Sequence, residues 1–180
     1  GLKGKEFGRQ WNKAFPCSKL TTAEAKAVLP YFDVDGSGDI DGAEFLVKFF
    51  GTQSCETSME CLHHLLRTNM RQNLQVVVQV AREYSEQLTP EKLIEMFEQY
   101  NSWEGLFYYL GAVLLKTEDK AVHFKYIQAA AKMQQFKEVE RVCRDSTVYD
   151  PIEVKDFLKD AKLADPRPLI HVCDRFDFVD

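Results

Sequence analysis

Apolar residues recur every three or four positions along most of this chain, in short blocks separated by polar or proline-containing segments. This spacing is typical of amphipathic helices, and no block alternates as a half-buried strand does. Two helices are predicted in the first third, one from Ala25, Val28, Leu29 and Phe32 and one from Phe45, Leu46 and Phe49. Later blocks cover residues 59–66, 74–84, 93–100, 106–115, 122–133, 136–142, 154–163 and 169 onward. The pattern predicts an all-α protein.

The later blocks are short and closely spaced, so each predicted helix pair is too small to bury its own apolar face. Thr89-Pro90 and Asp150-Pro151 place a capping residue before a proline at the first helical position, which marks two helix starts. These features predict an α-solenoid of short antiparallel helix pairs. A polar break at residues 51–54 divides a first module, 1–54, from the solenoid, 55–180. The apolar closing stretch predicts further repeats beyond residue 180.

Residues 33–44 read Asp-Val-Asp-Gly-Ser-Gly-Asp-Ile-Asp-Gly-Ala-Glu and fit all twelve positions of an EF-hand calcium loop. The predicted ligands of Ca²⁺ are the side chains of Asp33, Asp35, Ser37 and Glu44, the backbone carbonyl of Asp39, and Asp41 acting through water. Gly38 stands where the loop must turn sharply, and Ile40 is the apolar residue expected to pin the loop to a neighbour. With a predicted helix on each side, residues 1–54 form an EF-hand helix-loop-helix module.

An Asp- and Gly-rich surface turn is the alternative interpretation of this segment. Such a turn need not place glycine at position 6 and glutamate at position 12 between two apolar helices, so the calcium loop is favoured. Ser37 is a neutral ligand at position 5, and Pro30 removes a backbone donor near the end of the entering helix. Residues 5–20 hold at most a degenerate second hand. We therefore expect an affinity at or below the sensor range of roughly 10⁻⁷ to 10⁻⁵ M.

Charge, apolar run length and cysteine spacing indicate which classes of partner and which compartment fit the chain. The formal net charge is −5 and no basic run tracks a phosphate backbone, which argues against nucleic acid. The longest apolar stretch, residues 106–115, is far below the roughly 18 residues of a membrane span. Five scattered cysteines lack the paired spacings of a zinc site or a disulfide framework, which is typical of reduced cytosolic thiols. A cytoplasmic protein that meets membranes only indirectly is predicted.

No set of polar residues predicts a catalytic centre or a small-molecule substrate. Adjacent His63 and His64 point about 100° apart on a helix, so with Cys61 they are poor candidates for a shared metal site. Packing is the favoured role for the remaining candidates, which are His123, His171, Cys143, Cys173 and the aromatic residues Trp103, Phe107, Tyr108 and Tyr109. The chain is predicted not to be an enzyme.

Several blocks in the second module resemble the clathrin heavy chain, from about residue 58 to residue 179. They are Arg71-Gln-Asn-Leu-Gln75, Glu104-Gly-Leu-Phe-Tyr-Tyr-Leu-Gly111, His123-Phe-Lys-Tyr-Ile-Gln-Ala-Ala-Ala-Lys132, Lys137-Glu-Val-Glu-Arg-Val-Cys-Arg144, Tyr149-Asp-Pro151 and Cys173-Asp-Arg-Phe-Asp-Phe-Val179. The resemblance implies a segment of the clathrin leg, a helical zigzag, and agrees with the solenoid predicted from periodicity.

The resemblance also implies a function. Clathrin legs pack against one another in the lattice of coated pits and vesicles, so it implies a scaffold in intracellular protein transport, with other clathrin-like legs or coat proteins as partners. An EF-hand in front of a leg segment departs from the family pattern. The leading hypothesis is a calcium-binding, clathrin heavy chain-like scaffold. The alternative is a purely structural solenoid segment whose calcium loop is static or vestigial.

Overall fold

The computed structural model describes residues 3–14, 19–33 and 35–178. Within these ranges the regular elements are α-helices and one 3₁₀ helix, at residues 114–116. The α-helices are α1 Gly4–Ala14, α2 Thr22–Phe32, α3 Gly42–Phe50, α4 Cys55–Glu83, α5 Ser85–Leu88, α6 Pro90–Gln99, α7 Trp103–Val113, α8 Lys120–Lys132, α9 Phe136–Asp145, α10 Pro151–Ala161 and α11 Arg167–Arg175. The predicted all-α class is confirmed, and every predicted block overlaps a helix, although several blocks extend past the helix end.

The chain divides into two compact units, Gly1–Gln87 and Leu88–Asp180. The predicted boundary between an EF-hand module, 1–54, and a solenoid, 55–180, lies elsewhere along the chain and stays a prediction. Helices α1 to α3 and both halves of α4 belong to the first unit, because α1 packs on α2, α2 on α3 and α3 on α4.

Helix α4 is a folded-back pair rather than one rod. Asn69 has non-helical dihedral angles (φ −159°, ψ 88°), and its side chain accepts a hydrogen bond from the Gln72 amide at 3.2 Å, as an N-cap does. Asn73 donates to the Leu65 carbonyl across this turn at 2.8 Å. A straight helix of this length would span about 43 Å, yet Tyr84, just past its end, lies against Gly51, just before its start. The arms 55–68 and 70–83 therefore run antiparallel, as their separate apolar blocks predicted.

Successive helices of the second unit pack as pairs. Helix α6 packs on α7, α7 on α8, α8 on α9 and α10 on α11, while α8 also contacts α10 and α9 contacts α11. Contacts to the next helix and to the one after it are what stacked antiparallel pairs produce. Each helix pair packs against the next pair, as expected for the predicted solenoid.

The two predicted proline-associated helix starts differ in detail. Asp150 accepts hydrogen bonds from the amides of Ile152 and Glu153, which confirms it as the N-cap of α10. Thr89 also stands at the N-cap, directly before α6 begins at Pro90, but its side chain makes no capping hydrogen bond. Its φ is +65°, a backbone conformation that residues with a side chain rarely adopt.

A close approach between α6 and α7 depends on Gly105. A Cβ atom there would lie 2.5 Å from a ring carbon of Phe97 and 2.8 Å from the Ser102 hydroxyl. We expect Gly105→Ala to lower the free energy of unfolding by about 1–3 kcal/mol, because the added methyl overpacks a buried contact. Gly111→Ala in the same helix, where the nearest atom would be 3.3 Å away, is the control and should be neutral or slightly stabilising. Urea denaturation of both variants tests this, and equal midpoints would contradict it.

Two polar groups are held inside the second unit. His123 is only 5% exposed; its Nε2 donates to the Thr117 carbonyl at 3.1 Å, which leaves Nδ1 to accept from the Ser146 hydroxyl, also at 3.1 Å. Tyr126 donates to Glu138 at 3.1 Å, and burial raises the pKa of this phenol to about 12. His123 is thus the buried, hydrogen-bonded packing residue that was predicted.

Glu138 makes the stability of the second unit pH-dependent. Hydrogen bonds from Arg141 at 2.8 and 3.0 Å hold the pKa of this carboxyl below its usual value. A carboxyl with a lowered native pKa stabilises the fold above its unfolded pKa of about 4.3, and this contribution is lost as the pH falls through the native pKa. We expect Glu138→Gln to flatten the acid limb of urea midpoints measured between pH 7 and pH 3. Glu104→Gln, at an exposed position, is the control and should leave the acid limb of the urea midpoints unchanged. An acid limb in Glu138→Gln that equals that of the unmutated chain would contradict the expected role of Glu138.

Candidate metal centre

Helices α2 and α3 carry the predicted calcium loop between them. Thr21 and Glu24 form a capping box at the start of α2, and Asp41 and Glu44 form one at the start of α3. Pro30 lies on the exposed side of α2, and the helix continues past it to Phe32. The starts of both helices are therefore defined by local sequence signals, and Pro30 does not end the entering helix early.

The loop is folded around its own acidic side chains. Gly38 has a φ of +83°, a left-handed conformation that glycine adopts without strain, and its amide donates to Asp33 Oδ2 at 2.9 Å. The Ser37 amide donates to Asp35 Oδ1 at 2.9 Å. Ile40 is 1% exposed and belongs to a core cluster with Phe7, Phe32 and Ala25. Ile40 thus anchors the loop to the core of the first unit, as expected for position 8.

Three carboxylates converge in this loop. One oxygen from each of Asp33, Asp35 and Glu44 lies within 4.8 Å of the others. Oxygens bound at 2.3–2.6 Å to one Ca²⁺ ion lie at most about 5 Å apart, so this spacing fits a shared ion. Glu44 reaches back across the loop, since its Oε1 accepts from the Asp35 amide at 3.3 Å. In the described part of the chain, no other group of three or more His, Cys, Asp or Glu side chains converges in this way.

The other predicted ligands lie beside this cluster in different ways. The Ser37 hydroxyl is 3.5 Å from Asp33 Oδ1 and donates to the Asp39 carbonyl at 3.0 Å, which puts both groups next to the converging carboxylates. Asp41 instead accepts from the Glu44 amide at 2.8 Å and caps α3. This capping role was not among the predictions, although Asp41-x-x-Glu44 is its sequence signature. Metal ligation by these residues stays a prediction.

Hydrogen bonds within the loop favour the ionised form of one of its carboxyl groups. The bonds from Ser37, the backbone amide first, lower the pKa of Asp35. Asp33, Asp35, Asp39, Asp41 and Glu44 all fall within twelve residues. Their mutual repulsion is the cost that a bound divalent cation would relieve.

Cys143 is a buried packing residue, and His171 lies beside an acidic side chain. Burial raises the pKa of Cys143 to about 12, so this thiol is not a nucleophile. His171 Nε2 lies 3.5 Å from a Glu140 carboxylate oxygen, on the surface between α9 and α11. Cys17 lies outside the described residues. None of the described helices is long and apolar enough to cross a membrane.

Known proteins resemble this chain over most of its length. The family model described as "Region in Clathrin and VPS" matches residues 81–180, more than half of the chain. The chain belongs to this family of regions found in clathrin and VPS proteins. It is 59% identical over 137 residues to the clathrin heavy chain of Drosophila melanogaster and 58% identical over 136 residues to clathrin heavy chain 2 of Homo sapiens, 76% of this chain in each case. The clathrin heavy chain of Dictyostelium discoideum is 53% identical over 157 residues, 87% of this chain.

The extent of these matches corrects one prediction. A matched stretch of 137 residues contains residues 44–137 wherever it begins in a chain of 180 residues. A matched stretch of 157 residues likewise always contains residues 24–157. The clathrin similarity therefore begins no later than Glu44, earlier than the predicted start near residue 58, because the quoted blocks did not include the short apolar run of α3. The chain spans only 8–9% of the length of these relatives.

Proposed function

We propose that this chain is a calcium-binding scaffold segment of the clathrin heavy chain type, which serves coated-vesicle formation and intracellular protein transport in the cytoplasm. The observation that carries the calcium part is the convergence of the Asp33, Asp35 and Glu44 oxygens within 4.8 Å. The scaffold part is supported by the stacked helix pairs of a family whose relatives are named clathrin heavy chains. Its partners are other clathrin-like legs or coat proteins, and it has no catalytic activity.

Each residue of the loop has a stated role in this proposal. Asp33, Asp35 and Glu44 hold Ca²⁺ with carboxylate oxygens, while Ser37 and the Asp39 carbonyl complete one side. Asp41 keeps capping α3 and contributes through water. A hard dication supplies positive charge that offsets the repulsion among the loop carboxylates. Neutral Ser37 lowers the charge of the site, which favours a modest affinity.

The alternative, a structural segment with a static or vestigial loop, is favoured by one specific observation. The Dictyostelium match must include residues 33–44, so a clathrin heavy chain is aligned across the loop itself. In this alternative, helices α2 and α3 only contribute to packing, and residues 33–44 are a turn between them that binds no ion.

Co-assembly tests the scaffold role directly. The full chain is mixed with purified clathrin heavy chain trimers under cage-forming conditions, and the cages are pelleted in Ca²⁺ or in EGTA. We expect the amount of the chain recovered in the pellet to increase with the amount of cages. A chain that stays in the supernatant in both buffers would contradict the proposed scaffold role. Recovery that is the same in both buffers would favour the static loop.

A further inference from the structure

Two aromatic rings that pack on each other flank the acidic loop. Phe32 directly precedes Asp33, the first predicted ligand, and Phe45 directly follows Glu44, the last one. The two rings stack with centroids 5.2 Å apart and planes at 26°. Neighbouring Cα atoms are 3.8 Å apart. The packing of the two rings therefore limits how far apart the first and last ligands can lie.

Helix α1 contacts both of these rings. The Phe7 ring lies 5.7 Å from that of Phe32 and 6.4 Å from that of Phe45. The Trp11 ring lies 6.3 Å from Phe32 and meets Phe45 edge-on at 6.1 Å, and ring pairs at such distances attract each other. Phe7 also belongs to the core cluster of Ile40, the residue that anchors the middle of the loop. Both ends of the loop and its middle thus pack near α1.

The position of α1 on α2 is set by contacts outside the loop. The Asn12 side chain donates to the Leu20 carbonyl at 2.8 Å and accepts from the Leu20 amide at 2.6 Å. A Cβ atom on Gly8 would lie 2.9 Å from the Ala25 Cβ atom, so the two helices approach closely there. Helix α1 is therefore placed by its own contacts and can act on the loop from outside the set of ligands.

We propose that helix α1 regulates the calcium site, because its docking through Phe7 and Trp11 holds Asp33 and Glu44 at the separation that one ion requires. The loop carboxylates repel one another, so their convergence without an ion depends on the packing around the loop. This inference rests on the proposed function, in which Ca²⁺ binds in residues 33–44. Coupling between two sites is reciprocal, so Ca²⁺ strengthens the docking of α1 by the factor by which docked α1 strengthens Ca²⁺ binding.

Calorimetric titration of ring variants in the full chain tests the effect on affinity. We expect Trp11→Ala to raise the Ca²⁺ dissociation constant about tenfold, which is within the usual range of coupling between sites. Trp11→Phe keeps a ring and should recover most of the affinity. The control is Leu62→Ala, which removes a fully buried side chain of α4 outside that core cluster and should leave the dissociation constant unchanged. An equal loss of affinity in Leu62→Ala, or none in Trp11→Ala, would overturn the proposed regulation.

Hydrogen exchange measured by NMR tests the reciprocal effect and the positioning of the loop. In the unmutated chain, Ca²⁺ should slow exchange about tenfold at the amides of residues 7–14. In EGTA, Trp11→Ala should speed exchange about tenfold at the amides of Gly38 and Glu44, which are bonded to Asp33 and Asp41. Amides of residues 55–68 should keep their rates.

The two experiments separate this inference from the proposed function. A chain that binds no Ca²⁺ in the titration overturns the proposed function, and with it the regulation of a calcium site. A chain that binds Ca²⁺ but shows no slower exchange in α1 keeps the calcium site and overturns the regulation by α1. Loop amides that exchange at the same rate in Trp11→Ala and in the unmutated chain would show that α1 does not position the loop.

Discussion

Glu44→Gln is expected to weaken Ca²⁺ binding by at least about a hundredfold. Position 12 of the loop normally supplies both oxygens of one carboxylate to the ion, and the neutral amide offers a single weaker oxygen with no charge. The α3 capping box accepts glutamine as well as glutamate, so the bond from the Asp41 amide, now 2.9 Å, survives the change. The fold should therefore persist while affinity falls.

Calorimetric titration with Ca²⁺ measures this effect. The matched control is Glu60→Gln, which removes one exposed carboxyl from α4 and should leave affinity unchanged. The circular dichroism of Glu44→Gln should equal that of the unmutated chain, which separates loss of a ligand from loss of structure. Equal affinities for Glu44→Gln and the unmutated chain would remove Glu44 from the site.

Phe97→Ala is expected to have the largest effect on stability, about 3–5 kcal/mol. The side chain is fully buried, its ring lies 5.9 Å from that of Tyr109, and it fills the space that Gly105 leaves open. Its removal leaves a cavity at the contact between α6 and α7, which cannot close because Gly105 has no side chain to occupy it.

Urea denaturation followed by circular dichroism measures the loss. Tyr108→Ala is the control, because Tyr108 is on α7 but 54% exposed, and its midpoint should shift by well under half as much. A Phe97→Ala midpoint within error of the unmutated chain would show that the contact between α6 and α7 contributes little to folding.

Helical periodicity was enough to predict most of the fold. The blocks 59–66 and 74–84 were correctly separated, because the turn at Asn69 interrupts the apolar spacing even though backbone hydrogen bonds make the two arms look like one helix. The capping residue Asp150 was found because its amide partners are its own neighbours along the chain. Local signals therefore predicted elements and their ends well.

Features that depend on contacts distant in sequence were not predicted. The rings of Phe7 and Trp11 contact that of Phe45, which is more than thirty positions away in the sequence, and no local sequence pattern predicts these contacts. The same is true of the bond between Gln87 and Gln53. The capping bond that Asp41 accepts from the Glu44 amide is local and was also not predicted, while the place of Asp41 at position 9 of the metal site stays a prediction.

Calorimetric titration of the unmutated chain with Ca²⁺, after removal of metals by chelation, is the decisive test of the calcium site. We expect a binding heat with one ion per chain and a dissociation constant at or above roughly 10⁻⁷ to 10⁻⁵ M. The same titration with Mg²⁺ should give weaker binding, because the smaller ion dehydrates reluctantly. No heat of Ca²⁺ binding up to millimolar concentrations would contradict the calcium site and leave a purely structural segment of stacked helices.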